Sequence, residues 1–237
     1  MIYKILIVSI IFFVVLEVSI FAYKYLHLPI LPSIDQSERV LGAGPPLRYI
    51  AAGDSTAVGV GASKTENTYT FQIAQQLAQA HTVDYLNIGV KGYTSKNVLQ
   101  KQVGLIINFN PDIVTISMGG NDATHLVASS ELLANYEAII HQLLQHTHAT
   151  LYLTDVPQFN SVSLLPWLYV RLIEFRSRNQ NAAILKLASD RVKIINIHDF
   201  GWAKFSDLHA TTALDGFHPN DSGYKNWTAA FLEQINQ

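Results

Sequence analysis

A serine hydroxyl becomes a useful nucleophile when a base takes its proton, and an imidazole does this best when a carboxylate fixes its tautomer. The chain has nine histidines, and one stands out: His218 in Asp215-Gly216-Phe217-His218-Pro219, three residues after a carboxylate and just before the last helical pattern. In a tight loop that spacing lets Asp215 reach the imidazole Nδ1 and turns Nε2 toward a hydroxyl. The matching hydroxyl is Ser55 of Gly53-Asp54-Ser55, which ends a short apolar run. Acyl transfer also needs donors for a developing oxyanion, and glycine N–H groups and a side-chain amide are suited to this. Gly92 of Asn87-Ile-Gly-Val-Lys-Gly92 and Asn121 of Gly119-Gly-Asn-Asp122 are the candidates, beside the Ser55 N–H.

These residues are far apart in sequence, so the fold must gather them. Leu47–Ala52, Val83–Ile88, Asp112–Met118, Ala149–Thr154 and Val192 to about residue 197 read as five strands, mostly continuous β-branched and apolar runs. Between them, residues 70–80, 95–107, 129–146 and about 164–188 carry helical spacing, and Tyr224–Ile235 closes the chain. Ser129 or Ser130 is expected to cap the helix whose stripe includes Leu132, Tyr136, Ile139 and Leu143. Alternating strands and helices with doubly buried strands predict an α/β sandwich around a mainly parallel five-stranded sheet. In such a sheet a site lies beyond the carboxyl ends of the strands. Ser55, Gly92 and Asn121 each fall just after a predicted strand.

On these residues the chain resembles the SGNH, or GDSL-like, hydrolases. Gly53-Asp54-Ser55 resembles their first signature block, Gly92 their second, Gly119-Gly-Asn121-Asp122 their third (G-x-N-D) and Asp215-Gly-Phe-His218 their last (D-x-x-H). The blocks occur in family order from about Leu47 to the C-terminus. The resemblance implies Ser55 as nucleophile, His218 as general base and Asp215 as the orienting acid. It implies an oxyanion hole from the Ser55 N–H, the Gly92 N–H and the Asn121 amide, a flavodoxin-like three-layer α/β/α fold, and no metal or cofactor. Gly89 competes with Gly92, which is preferred because it directly precedes the Tyr93-Thr94-Ser95 that opens a helix. The implied reaction is cleavage of a carboxylic ester or thioester through an acyl-enzyme. Deacetylation of an envelope carbohydrate, acyl transfer to an alcohol, and a non-catalytic binding module on the same fold are the alternatives.

Taken singly, each residue has a plainer reading: Ser55 as a helix cap, Asn121 or Asp215 as a turn residue, Gly92 as a turn glycine, His218 as a surface histidine. Asp54 reads as a capping carboxylate rather than a catalytic one. His141, His146 and His148 do not share one helical face with a carboxylate and read as a solvated helix end. Gly59-Val-Gly-Ala-Ser-Lys64-Thr65 lacks the glycine a phosphate loop needs before lysine. Ala57 breaks the G-x-S-x-G elbow around Ser55. Leu164, Leu165, Trp167, Leu168, Tyr169 and Leu172 read as part of an ordinary core helix or as an apolar lid or acyl groove.

The N-terminus differs from the rest. Ile5–Tyr23 is apolar apart from Glu17, and these nineteen residues make about 28 Å of helix, close to a bilayer's hydrocarbon thickness. Tyr3, Tyr23 and Tyr25 flank it and Lys4 and Lys24 bracket it. Residues 1–25 are expected to be a single-span anchor, with a cleaved signal peptide as the first alternative and a buried core helix as the second; the first two put the remainder outside the cytoplasm. Residues 26–46, with Pro29, Pro32, Pro45 and Pro46, read as a linker, and 47–237 as the hydrolase domain. The absence of cysteine excludes disulfides, thiolate metal sites and a cysteine nucleophile. A net charge of −2 leaves no basic surplus for nucleic acid. The expected partners are an ester substrate and, through the anchor, a membrane.

Overall fold

The computed structural model describes residues 2–204 and 209–235. After the N-terminal helix α1 (Ile2–Leu26), six strands form one sheet: β1 (Arg39–Leu41), β2 (Pro46–Gly53), β3 (Thr82–Asn87), β4 (Ile113–Ser117), β5 (Thr150–Thr154) and β6 (Val192–Ile195). Their order is β1-β3-β2-β4-β5-β6, with β1 antiparallel to β3 and every other pair parallel. Without β1 this is the flavodoxin-like doubly wound order, whose switch point lies between β2 and β4.

The sequence reading counted five strands; the sixth is β1. It was missed because three residues flanked by proline and glycine carry no periodic signal, and their strand character comes from pairing with β3. The stretch read as a linker therefore supplies the sheet edge. Gln36 Nε2 donates to Asn87 Oδ1 at 3.2 Å and to the Gly89 carbonyl at 3.0 Å, and Ile34 packs on the core.

Alternation along the strands builds three layers. Ile50 and Ala52 of β2 join Val114, Ile116, Leu151 and Leu153 on one face, covered by α4 (Ser95–Lys101), α5 (Val103–Phe109), α7 (Ser129–His146) and α8 (Trp167–Ile184). Tyr49 and Ala51 face the other way with Tyr85, Tyr152 and Ile195, covered by α3 (Tyr69–Leu77) and α10 (Asp221–Ile235). The helix expected over 95–107 is two, divided at Gln102. The helix expected from Ser129 does begin there, but its N-cap is Ala128 and no side chain caps it. None of the apolar window of α1 is buried, unlike a core helix.

Candidate active site

The turn after β2 is set by a glycine. Gly53 has φ +126°, and a Cβ there would lie 1.9 Å from the Ser117 carbonyl oxygen. The chain then enters the short helix α2 (Ser55–Val58), whose N-cap is Asp54, with Oδ1 accepting from the Thr56 N–H at 2.8 Å. Asp54 therefore does the capping that Ser55 could have done, and the Ser55 hydroxyl turns elsewhere. Burial raises the Asp54 carboxyl to about 6, against the lowering effect of its Thr56 hydrogen bonds.

At the opposite end of the sequence, the loop before α10 is pinned by Asp215. Its Oδ1 accepts the backbone N–H groups of Phe217 and His218, each at 3.0 Å, and its Oδ2 lies 2.6 Å from His218 Nδ1. His218 Nε2 lies 2.9 Å from Ser55 Oγ. Desolvation pushes the Asp215 carboxyl up, but the His218 hydrogen bond and charge and the two N–H donors outweigh it, and the carboxyl is held below its ordinary range. The loop is braced from outside by the Ser163 and Leu164 N–H groups, which donate to the Gly216 carbonyl at 2.9 and 3.1 Å.

Asn121 sits on α6 (Gly120–Thr124), the single turn after β4. One hydrogen of its amide goes to the Tyr93 carbonyl at 2.9 Å, which ties it to the Gly92 loop and leaves the second amide hydrogen outside that bond. The next residue secures the same loop: buried Asp122 accepts from the Ser95 N–H at 2.8 Å and the Ser95 hydroxyl at 2.6 Å. Ser55, Asn121 and His218 line one cavity of about 110 Å³, with Phe159, Val162 and Trp227 among its walls. Asp215 lies behind His218. Gly92 is exposed in the adjacent loop at φ +78° and is not part of that cavity wall. The Gly89 N–H is already donated to Asn87 Oδ1 at 2.9 Å, and a Cβ on Gly89 would approach Val58 N to 2.7 Å. Gly89 is thus a packing glycine.

Two residues that sequence reasoning missed hold this assembly. Gln102, buried between α4 and α5, accepts from the Gly53 N–H at 2.8 Å and donates to the carbonyls of Gly53 and Ile88 at 3.0 and 2.8 Å. Asn87 donates to the Ala57 carbonyl at 2.7 Å, joining α2 to the end of β3. Nothing in the sequence marks Gln102, since a buried glutamine looks like any other. Among the described residues no group of acidic or histidine side chains has the arrangement of a metal site.

The model of the GDSL-like lipase/acylhydrolase family matches residues 51–225. A multidomain esterase of Ruminococcus flavefaciens is 26% identical over 183 residues; the match covers 66% of this chain and 21% of that protein, so the chain spans about a fifth of that relative's length. Two solved structures share the fold. One is the lipase Lip_vut3 from a goat rumen metagenome, with TM-score 0.61, 21% identity, and 79% of this chain and 96% of the other covered. The second is Axe2, an acetylxylan esterase from Geobacillus stearothermophilus, with TM-score 0.62, 18% identity and coverages of 83% and 96%. The matched span runs from within β2 into α10 and takes in Ser55, Gly92, Asn121, Asp215 and His218, and on that match the chain belongs to the GDSL-like lipase/acylhydrolase family.

Proposed function

We propose that this protein is a serine-dependent carboxylic ester hydrolase working through an acyl-enzyme. The observation that carries the proposal is the hydrogen-bonded series Asp215–His218–Ser55, at 2.6 and 2.9 Å. Ser55 Oγ attacks the ester carbonyl carbon as His218 Nε2 takes its proton. The carbonyl oxygen becomes an oxyanion held by the Ser55 N–H, the Gly92 N–H and the second hydrogen of the Asn121 amide. His218 then returns the proton to the departing alkoxide. A water molecule, deprotonated by the same imidazole, attacks the acyl carbon and releases the acid and free Ser55. Asp215 holds the tautomer and favours the imidazolium that forms in each step. The reading also takes α1 as a membrane anchor, and takes the catalytic domain to begin near Ile34, where the chain first packs on the core.

A second reading, removal of acetyl groups from a glycan, is favoured by the small cavity at Ser55 and by relatives named for acetylxylan and acetylated mannans. Turnover of p-nitrophenyl acetate by the parent and by Ser55→Ala tests the central reading. It expects the variant to lose about 10³-fold or more; a variant that keeps parental turnover contradicts it.

A further inference from the structure

Helix α8 is inverted. Its buried face carries Glu174, Ser177, Gln180 and Asn181 beside Val170, Ile173 and Ile184. Its solvent side carries Trp167, Leu168, Leu172 and Phe175, which are 46–69% exposed, together with Arg171, Arg178 and Asn179. A surface helix of a soluble domain has the opposite arrangement, and a clustered apolar face marks an interaction surface. This also corrects the reading of Trp167, Leu168 and Leu172 as core residues.

The surroundings of α8 indicate what covers that face. The only charge in the apolar stretch of α1, Glu17, accepts a short hydrogen bond from the Trp167 N–H, one of the unpaired donors at the start of α8. Lys24 donates to the Ser163 carbonyl at 2.6 Å. Glu17 and Lys24 are seven residues apart, about 10 Å along the helix axis. The start of α8 is therefore held alongside the membrane-length helix, below the level of its Lys24 end. Trp167 and Arg171, whose guanidinium lies 5.6 Å from the indole centroid, are residue types that settle at a bilayer's polar boundary.

Between the two helices runs an apolar cleft of about 620 Å³, lined by Val14, Val18, Phe21, Leu165, Leu168 and Leu172 among others. It shares Glu17, Phe21, Leu165 and Pro166 with a neighbouring, more polar cavity of about 570 Å³ that Lys24 and Arg171 also line, and that cavity in turn shares Val162 with the cavity at Ser55. The same segment touches both halves of the site: Ser163 and Leu164 brace the His218 loop at Gly216, and the Tyr169 hydroxyl donates to the Thr124 carbonyl on the helix of Asn121.

We propose that the exposed face of α8 lies in the surface of the bilayer that α1 spans, and that the α1–α8 cleft takes an acyl chain of a membrane lipid whose ester is cut at Ser55. This rests on the hydrolase reading above and narrows its substrate class to lipid esters presented by the enzyme's own membrane.

The test uses the full chain in vesicles of phosphatidylcholine and phosphatidylglycerol. Trp167 fluorescence with brominated acyl chains reports docking without any turnover; quenching that disappears in Trp167→Phe is expected. Hydrolysis of a long-chain fluorogenic ester in the vesicle is compared with hydrolysis of p-nitrophenyl acetate in water, for the parent and for Phe175→Glu, a change on the exposed face outside the cleft. This variant is expected to lose about tenfold or more on the vesicle ester and to keep its rate on the acetate. Trp167 left unquenched, vesicle-ester turnover unaffected by Phe175→Glu, turnover of acetylated glycan with none of the vesicle ester, or an intact mass showing α1 removed would each overturn the proposal. A parent inactive on every ester while Trp167 is quenched would instead overturn the hydrolase reading, and with it the substrate assignment.

Discussion

The Asn121 amide holds the Gly92 loop through the Tyr93 carbonyl, and in the proposed mechanism its second hydrogen meets the oxyanion. Replacing Asn121 by alanine is expected to lower kcat by about 10²–10³ with a smaller change in KM, since the lost bond matters most once charge develops on the substrate oxygen. An unchanged kcat would remove Asn121 from the oxyanion assignment. Asp215→Asn keeps the side-chain shape but favours the wrong imidazole tautomer, and is expected to lower kcat by up to about 10⁴; steady-state kinetics on a short ester checks this. The Asp215 carboxyl is held below its ordinary range. Its contribution to stability is therefore present above the unfolded value of about 3.9 and is lost only as pH falls through the lower folded value. Residue identities at this scale were legible because each of these roles demands a particular chemistry. The carboxylate-imidazole spacing of Asp215 and His218 and the carboxamide after a glycine pair fit the proposed hydrolase. What the sequence left open was Gly89 against Gly92, because both are loop glycines. The hydrogen bond from Gly89 N–H to Asn87 and the lack of room for a Cβ at Gly89 separate them.

At the scale of elements, the end of β2 depends on Gln102. Its side chain satisfies three main-chain groups where the Ser55 turn departs from the sheet. Gln102→Leu would leave the buried Gly53 N–H without its acceptor, and is expected to cost about 1–3 kcal/mol in urea denaturation while slowing turnover through a displaced Ser55. Parental stability in that variant would show the clamp to be dispensable. The five long strands were legible from their continuous apolar runs, and α7 from its stripe. β1 was not, because a three-residue edge strand exists only by pairing with β3. Nor was the break between α4 and α5, since Gln102 and Val103 do nothing locally to stop a helix. The inversion of α8 was equally hidden: its sequence mixes Trp, Leu and Phe with Glu, Gln and Asn, and which side faces inward is decided by the partners of Glu174 and Asn181.

Across the whole molecule, a second buried network lies beyond β5 and β6, away from Ser55. His198 sits with Nε2 2.8 Å from Glu174 Oε1 and Nδ1 2.9 Å from Asp199 Oδ1, and its backbone N–H donates to Asp155 Oδ1 at 3.1 Å. This joins α8 to α9 (Ile197–Lys204) and to the end of β5. Desolvation raises the Asp155 carboxyl to about 7, although His198 opposes the rise. Burial lowers the His198 imidazole, but its Glu174 and Asp199 partners more than restore it and leave it raised. Both folded values thus lie above the unfolded ones, so the native state holds more protons and stability falls as pH rises from about 4 through neutrality. Urea midpoints are expected to be higher at pH 5 than at pH 8. Asp155→Asn is expected to reduce the loss of stability between pH 5 and pH 8 by on the order of 2–4 kcal/mol, at about 1.4 kcal/mol per unit. A slope unchanged in the variant would assign the pH dependence to other groups. None of this network was visible in the sequence, where Asp155, Glu174 and His198 are widely spaced and belong to no motif. The apolar N-terminal segment, by contrast, was legible at once. Its registration against α8 through Glu17 and Lys24 was not, because it depends on tertiary placement.

The proposed hydrolysis requires Ser55 to be an activated nucleophile in the intact chain. The full-length protein and its Ser55→Ala variant would be treated with a fluorophosphonate probe, and the adduct located by peptide mass spectrometry. A single adduct on Ser55, absent from the variant, is the predicted result. A folded parent that takes up no probe, or takes it up elsewhere, would contradict the account and leave a fold whose site residues bind without reacting.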